Sequence, residues 1–296
     1  MKITLKGLVT ITIAFLAIPV FSQQQDKGKE LQLRWQDGPS DVNLIGQAVL
    51  KLPEGYKFLN AEQTKEALRR SGNFPSDNTL GLIVPIKKQA PWFAVLTYHP
   101  VGYVKDDDAK NWNAEELLTA VKEGTEHDNK QRKEMGFPPI SIVGWEEKPH
   151  YDSTTNKVIW AIAAKDNTAN ASTVVNFNTL SLGRQGYIGM NMVTGLNELA
   201  QQKQDVQILL GQLNFVDGKR YADFNSNTDT IAAVGLAALV AGAAAKLGFF
   251  GKLGAFLLPI FLVLKKFIVY IVIAIAAIGW ALFKKFRGAK AEAPAE

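Results

Sequence analysis

The sequence predicts an α+β fold, a mostly antiparallel sheet with helices packed on one face, followed by a C-terminal helical transmembrane region. Three observations lead to this prediction. Strand-like stretches follow one another through short turns in the middle of the 296-residue chain, and helix-start patterns interrupt them. A long uncharged apolar run near the C-terminus has the length and the flanks of a membrane span.

The N-terminus has the pattern of a secretory signal. Two lysines precede a short apolar stretch over residues 8–18, and Val20 and Ser22 stand at the −3 and −1 positions of a plausible cleavage site. We therefore expect a signal peptide over residues 1–22 and an exported domain. An uncleaved anchor is the alternative. Residues 23–30 are polar and predict a linker.

The exported domain is expected over residues 31–228, and its strands are predicted from alternating or continuous apolar stretches. These stretches are residues 31–35, 42–52, 80–85, 92–98, 140–145, 158–163, 172–180 and 187–192. Turn residues separate them, so neighbouring strands are expected to run antiparallel.

Three helices are predicted in the same domain from the capping residues at their N-termini. Asn60 with Gln63, and Asn113 with Glu116, match the capping box, in which the first side chain accepts a backbone N–H of the first turn. Thr194 is expected to cap a third helix, and residues 218–224 are expected to close the domain.

Residues 229–264 form an Ala/Gly-rich apolar segment that we expect to associate with the membrane. Ala233, Ala237, Ala241 and Ala245 recur every fourth residue and would line one helix face, where small side chains let membrane helices approach closely. The alternative is that alanine is here only a good helix former. The segment can be a re-entrant or interfacial hairpin, or an additional pair of crossings.

Residues 265–285 predict a transmembrane helix. Their uncharged core, residues 267–283, covers roughly 26 Å as a helix, and paired lysines flank it. Tyr270 and Trp280 lie near its ends, where such rings favour the membrane interface. A buried core helix is the alternative. The basic tail, residues 286–296, is expected in the cytoplasm, which with a cleaved signal requires an odd number of crossings.

Composition excludes several function classes. The net charge of +5 comes in part from lysines beside the membrane segment, and no basic stripe elsewhere predicts nucleic-acid binding. The chain has no cysteine, which excludes thiol catalysis and thiolate metal sites. No sequence pattern predicts a cofactor.

An acidic triplet is the candidate metal site. Asp106, Asp107 and Asp108 offer the hard oxygen ligands that divalent cations prefer. The glycine and distal glutamate of a calcium loop are missing, and negative charge close before a helix is favourable without any metal. His99, His127 and His150 have no metal-ligand spacing, and we expect them to be scattered surface residues.

A second candidate combines Asn176 and Asn178 on a predicted strand with Arg184 in the turn that follows. Arg184 can bind an anion or a partner carboxylate through two hydrogen bonds. The alternative, which the many acidic residues of the chain favour, is an ion pair within the domain.

Several stretches resemble a bacterial family known only as uncharacterised membrane-anchored proteins, domain-of-unknown-function family 2167. They are GYKFL at 55–59, SGN at 71–73, GYVKDDDA at 102–109, NKQRKEMG at 129–136, GWEEKPHYD at 144–152, VNFNTLSLGRQG at 175–186, GKRYADFN at 218–225 and GLAALVAGAAAKLG at 235–248. The resemblance covers nearly the whole mature chain. It implies a bacterial origin and a membrane anchor, and it brings no catalytic residues to assign.

These observations predict a membrane-anchored periplasmic module of the bacterial inner membrane. We expect it to bind a protein or envelope partner, or a second copy of itself, and to take part in a membrane complex. The alternative function is an envelope hydrolase or metal-dependent enzyme that uses the acidic cluster. The sequence favours the non-catalytic hypothesis because no constellation of residues satisfies the requirements of catalysis.

Overall fold

The computed structural model describes residues 32–71, 73–87, 92–110, 112–168 and 172–242. The predicted signal peptide, linker, transmembrane helix and cytoplasmic tail lie outside these residues, as do Ala245 and most of the segment 229–264. Within the described residues, none of the helices combines the length and the apolar character that a membrane crossing requires.

The domain alternates runs of strands with single helices. The strands are β1 (Gln36–Asp37), β2 (Ser40–Leu44), β3 (Ala48–Leu52), β4 (Tyr56–Asn60), β5 (Thr79–Pro85), β6 (Phe93–His99), β7 (Ile140–Asp152), β8 (Lys157–Asp166), β9 (Val174–Gly183), β10 (Gly186–Gly195) and β11 (Leu213–Phe215). The α-helices are α1 (Ala61–Arg70), α2 (Ala114–Glu134), α3 (Leu199–Gln212) and α4 (Leu236–Ala241), with short 3₁₀ turns at Leu196–Glu198 and Tyr221–Asp223.

The strands form two antiparallel sheets. Eight of them make a large sheet in the order β1-β4-β5-β6-β10-β9-β8-β7, and the other three make a small sheet in the order β11-β3-β2. The pairing of β6 with β10, which aligns His99 with Tyr187, joins the N-terminal strands to the later meander. An antiparallel-sheet-rich α+β fold with helices packed on the sheet is therefore confirmed.

The central strands are buried on both faces, and this decides where the helices lie. Val175 and Phe177 of β9 face the front, where the small sheet and α3 cover the large sheet. Leu180 and Leu182 face the back, together with residues of α2 and α4. Leu68 of α1 covers another part of the back.

The prediction that the helices pack on one face is therefore wrong. Helix α3 lies on the front face and α1, α2 and α4 lie on the back face. The reason is visible in β9 and β10, whose residues are almost all buried, so both faces of the sheet must be covered.

The helix starts at Asn60 and Asn113 are confirmed. The Asn60 side chain accepts the N–H of Gln63, and the Asn113 side chain accepts the N–H of Glu116. The cap predicted at Thr194 is wrong, because this residue lies within β10 and its hydroxyl contacts Gln202, whereas α3 begins at Leu199.

Two further differences lie at the ends of the predicted domain. Residues 32–35 are not a strand, and the first strand pairing begins at Gln36. At the other end, residues 229–242 pack on the domain: Ile231 bridges to Tyr103, and Leu236 and Leu239 join the buried cluster under α2.

Candidate functional site

A narrow groove opens on the back face of the large sheet. It lies between Leu68 of α1 and Phe74 on one side and Trp160 and Leu180 on the other. Its cavity volume of ≈ 90 Å³ corresponds to about three water molecules. A groove of this size accepts one short side chain and is too small for a drug-sized ligand or a cofactor.

The floor of the groove is polar although it is deeply buried. His99 on β6, at 6% exposure, stacks on the Tyr187 ring with a centroid distance of 4.7 Å. Asn78 Nδ2 donates to His99 Nδ1 at 3.2 Å, so His99 Nε2–H donates to Thr97 Oγ1 at 3.1 Å. Burial lowers the pKa of His99 to about 4, so the ring is neutral at physiological pH.

Asparagines continue this floor along β9. Asn178 lines the groove and donates from Nδ2 to the Asn176 carbonyl at 3.0 Å. Asn176 is fully buried; its Oδ1 accepts from Asn191 Nδ2 at 3.2 Å, and its Nδ2 has no acceptor. The structure therefore places Asn178 at the groove, together with His99, whereas Asn176 is buried behind the groove and hydrogen-bonds to the lining residue Asn191.

The groove can hydrogen-bond but offers no charge. Among its described lining residues there is no carboxylate, lysine or arginine, and His99 is neutral. Thr97 carries the hydroxyl next to His99, and its Oγ1 is 3.1 Å from His99 Nε2. The arrangement therefore offers hydrogen-bond partners to uncharged polar groups.

Arg184 lies away from the groove and is already paired. Its Nε and Nη2 atoms donate to the two oxygens of Asp229 at 2.7 and 2.9 Å. The Arg184 hydrogen bond, followed by the backbone N–H of Asn225, lowers the pKa of Asp229 to about 2. Arg184 therefore forms the ion pair within the domain that was the alternative to partner binding. The structure does not bring Arg184 together with Asn176 and Asn178.

The acidic triplet points in separate directions. Asp106 lies beside Tyr151, whose pKa is raised by burial and then by this carboxylate. Asp107 is exposed, and Asp108 accepts the backbone N–H groups of Leu236 and Ala237 at the start of α4. In the described ranges no three His, Asp or Glu side chains lie close enough to hold a metal ion. Metal binding by the triplet stays a prediction.

The alanine stripe is described only in part. Ala233 is exposed and precedes α4, whereas Ala237 and Ala241 lie within that helix. The buried side of α4 is made by Leu236, Leu239, Val240 and Ala241. Packing by the full stripe stays a prediction.

The expectation that the histidines are surface residues is wrong for His99. It follows Phe93, Val95 and Thr97 in steps of two along β6, so it shares their buried face. The predicted strand ended at residue 98, one position too early, and therefore missed this signal.

Solved structures with a similar fold are distant. They include the solution structure of cyanobacterial PsbP (CyanoP) from Synechocystis sp. PCC 6803, with 8% identity, a TM-score of 0.37, and coverage of 66% of this chain and 99% of that one. They also include the Saccharomyces cerevisiae Ran-binding protein Mog1p, with 14% identity, a TM-score of 0.31, and coverage of 63% of this chain and 98% of that one. Nothing about the function of this chain follows from likenesses so remote.

No curated protein matches the chain. A family match, by contrast, covers most of it. Residues 36–276 match the family described as "Protein of unknown function (DUF2167)", a range that begins at β1 and continues past α4. The chain belongs to this family.

Proposed function

We propose that the chain is an exported, membrane-anchored module that binds a protein or envelope partner through the groove on the back face of its sheet. The observation that carries this proposal is a row of uncharged hydrogen-bonding side chains at the base of that groove: His99 and Asn178, which are buried, and Thr97, which is half-buried.

Burying polar side chains at the base of the groove costs free energy unless they find hydrogen-bond partners. An unpaired buried polar group costs about 1–3 kcal/mol, and the Asn176 Nδ2 atom, behind the lining residue Asn191, is one. Apolar residues at the same strand positions would satisfy the fold at lower cost, as Val95 and Val193 do on the same face. Polar groups retained at the base of an opening favour a role in recognition.

The chemistry of the groove specifies its occupant. A charged group would lose its hydration there and find no opposite charge among the lining residues. An uncharged side chain of a partner would place its apolar part against Phe74, Leu180 and Trp160 and its polar end near Asn178. We therefore propose a partner segment that inserts one short, uncharged side chain.

The export and anchoring parts of the proposal are supported by residues 1–22 and 265–285. A cleaved signal and a C-terminal span would hold the domain in the periplasm at the bacterial inner membrane, with the basic tail inside. A fusion of alkaline phosphatase after Asp223 is then expected to be active, and a fusion after Glu296 inactive. Activity of the second fusion contradicts the proposed topology.

Site-specific photocrosslinking tests the binding proposal in the full-length protein in its membrane. A photoreactive residue in place of Phe74, at the groove, is expected to yield a discrete adduct, and the same residue in place of the exposed Lys51 is not. An adduct of twice the chain mass identifies a second copy as the partner. Equal adducts from both positions contradict the proposal.

A matched pair of glycine variants links the adduct to the groove. A Cβ on Gly189 would lie 2.8 Å from Thr97 Oγ1, so Gly189→Ala disturbs the floor. Gly144→Ala on β7 meets nothing within 4 Å. We expect the Phe74 adduct to weaken in the first variant only, at equal protein levels. An unchanged adduct in a folded Gly189→Ala protein overturns the proposal.

A further inference from the structure

The turn between β2 and β3 contains an unusual residue. Gln47 N–H donates to the Leu44 carbonyl at 3.0 Å, and the two central residues, Ile45 and Gly46, have φ of 51° and 69°. Positive φ at both positions characterises the type I′ turn, which favours asparagine, aspartate or glycine because a β-branched side chain crowds the backbone there.

The same backbone angle occurs at one other non-glycine residue of the described chain, and there it is an asparagine. Asn156 has φ of 52°. Ile45 therefore keeps a side chain that disfavours its own turn, and that side chain is 61% exposed. Asparagine at position 45 would remove both the backbone strain and the exposed apolar side chain. Neither the turn geometry nor the core of the domain therefore explains an isoleucine at the tip.

This turn lies at the end of the sheets from which the chain leaves for its C-terminal segment. Val216 N–H donates to the Gln47 carbonyl, and Arg184 N–H donates to the Lys219 carbonyl. Arg184 also forms an ion pair with Asp229. The segment that begins at Asp229 carries a second exposed isoleucine, Ile231, at 46% exposure.

We propose that Ile45, together with Ile231, contacts the surface of a lipid bilayer. The proposal rests on the membrane anchor of the proposed function, because an anchor further along the chain would tether the domain to a lipid surface. Exposed apolar side chains beside a bilayer insert at the boundary of headgroups and acyl chains. The anchor supplies the proximity, and the isoleucines orient the domain.

The contact is apolar and does not require anionic lipid. Two arginines at this end are occupied by acidic neighbours, Arg184 by Asp229 and Arg220 by Asp217. A zwitterionic phosphatidylcholine surface is therefore sufficient, and the contact is insensitive to salt, unlike the binding of a basic patch.

The absence of cysteine from the chain allows a direct test. Ile45→Cys in the full chain is labelled with an environment-sensitive dye and reconstituted into phosphatidylcholine vesicles that carry a lipid-bound spin quencher. We expect a blue-shifted emission and quenching several-fold stronger than for dye on Val143→Cys. Val143 is also β-branched and exposed, at 51%, but lies at the opposite end of the large sheet.

Flotation of the same vesicles separates the two proposals. Protein that does not float with the vesicles overturns the anchor, and with it the basis of the lipid contact. Protein that floats while the dye at residue 45 remains as unquenched as the dye at residue 143 overturns the lipid contact alone. Quenching that appears only with anionic lipid, or is lost in high salt, also overturns the apolar contact described here.

Discussion

Arg184 and Asp229 form a two-point ion pair that holds the chain segment leading to α4 against the turn between β9 and β10. The Nε–Oδ2 distance is 2.7 Å and the Nη2–Oδ1 distance is 2.9 Å. Asp229 also accepts the backbone N–H of Asn225 at 2.7 Å. The pair therefore fixes the path of the chain as it leaves the sheet, 45 residues after Arg184.

Arg184→Lys is expected to loosen this segment. Lysine presents a point charge and cannot make both hydrogen bonds at once. We expect a lower urea midpoint and faster proteolysis near residues 225–235, and a larger loss for Arg184→Ala. Arg220→Lys is the control, since Arg220 pairs with the exposed Asp217. Equal effects of the Arg184 and Arg220 variants would contradict the role of the pair.

The same ion pair predicts an acid-sensitive contribution to stability. The pKa of Asp229 is lowered to about 2 in the folded chain, against about 3.9 for an unfolded aspartate. The contribution is therefore complete above pH 4 and disappears as pH falls towards 2. In Asp229→Asn, unfolding measured over this range should depend less steeply on pH than in the parent protein.

His99 makes the fold sensitive to milder acid. Its folded pKa is about 4, whereas the unfolded chain takes up a proton near 6.5. Acidification from pH 6.5 to 4 therefore favours the unfolded state, by an amount on the order of 3 kcal/mol. His99→Gln should flatten the dependence of the urea midpoint on pH in this window. His127→Gln, at an exposed site on α2, should leave it unchanged.

Two neighbouring aspartates are expected to differ in their effect on stability. Asp108 accepts the N–H groups of Leu236 and Ala237 at 3.1 and 3.0 Å, so Asp108→Ala leaves the start of α4 without acceptors. The loss should be about 1 kcal/mol in the free energy of unfolding. Asp107→Ala removes the same charge from an exposed site and should have little effect. Similar losses would mean that charge, and not the cap, matters.

The sequence predicted those parts of the fold that local chemistry determines. The caps at Asn60 and Asn113 were found because an asparagine acts on backbone groups two or three residues away. The antiparallel meander from β7 to β10 follows from consecutive apolar strands joined by short turns. These signals lie within a few residues and need no tertiary contact.

The groove and the small sheet could not be predicted in the same way. The groove brings Leu68 on α1 next to Asn178 on β9, and β11 joins β3 through only three residues. Such pairings depend on which faces of distant elements remain uncovered. The helices on the front and back faces were misplaced for the same reason, because periodicity shows that a strand is buried and not what covers it.

Ile45→Asn is expected to stabilise the domain while it removes an exposed apolar side chain. Asparagine accepts the positive φ of this turn more readily than a β-branched residue, and release of such backbone strain yields on the order of 1 kcal/mol. The urea midpoint should therefore rise. Ile86→Asn is the matched control: Ile86 is 47% exposed and has no positive φ, so its replacement should not stabilise the fold. A fall in stability at position 45 would show that the Ile45 side chain supports the hairpin itself, and a contact outside the domain would no longer be needed to explain it.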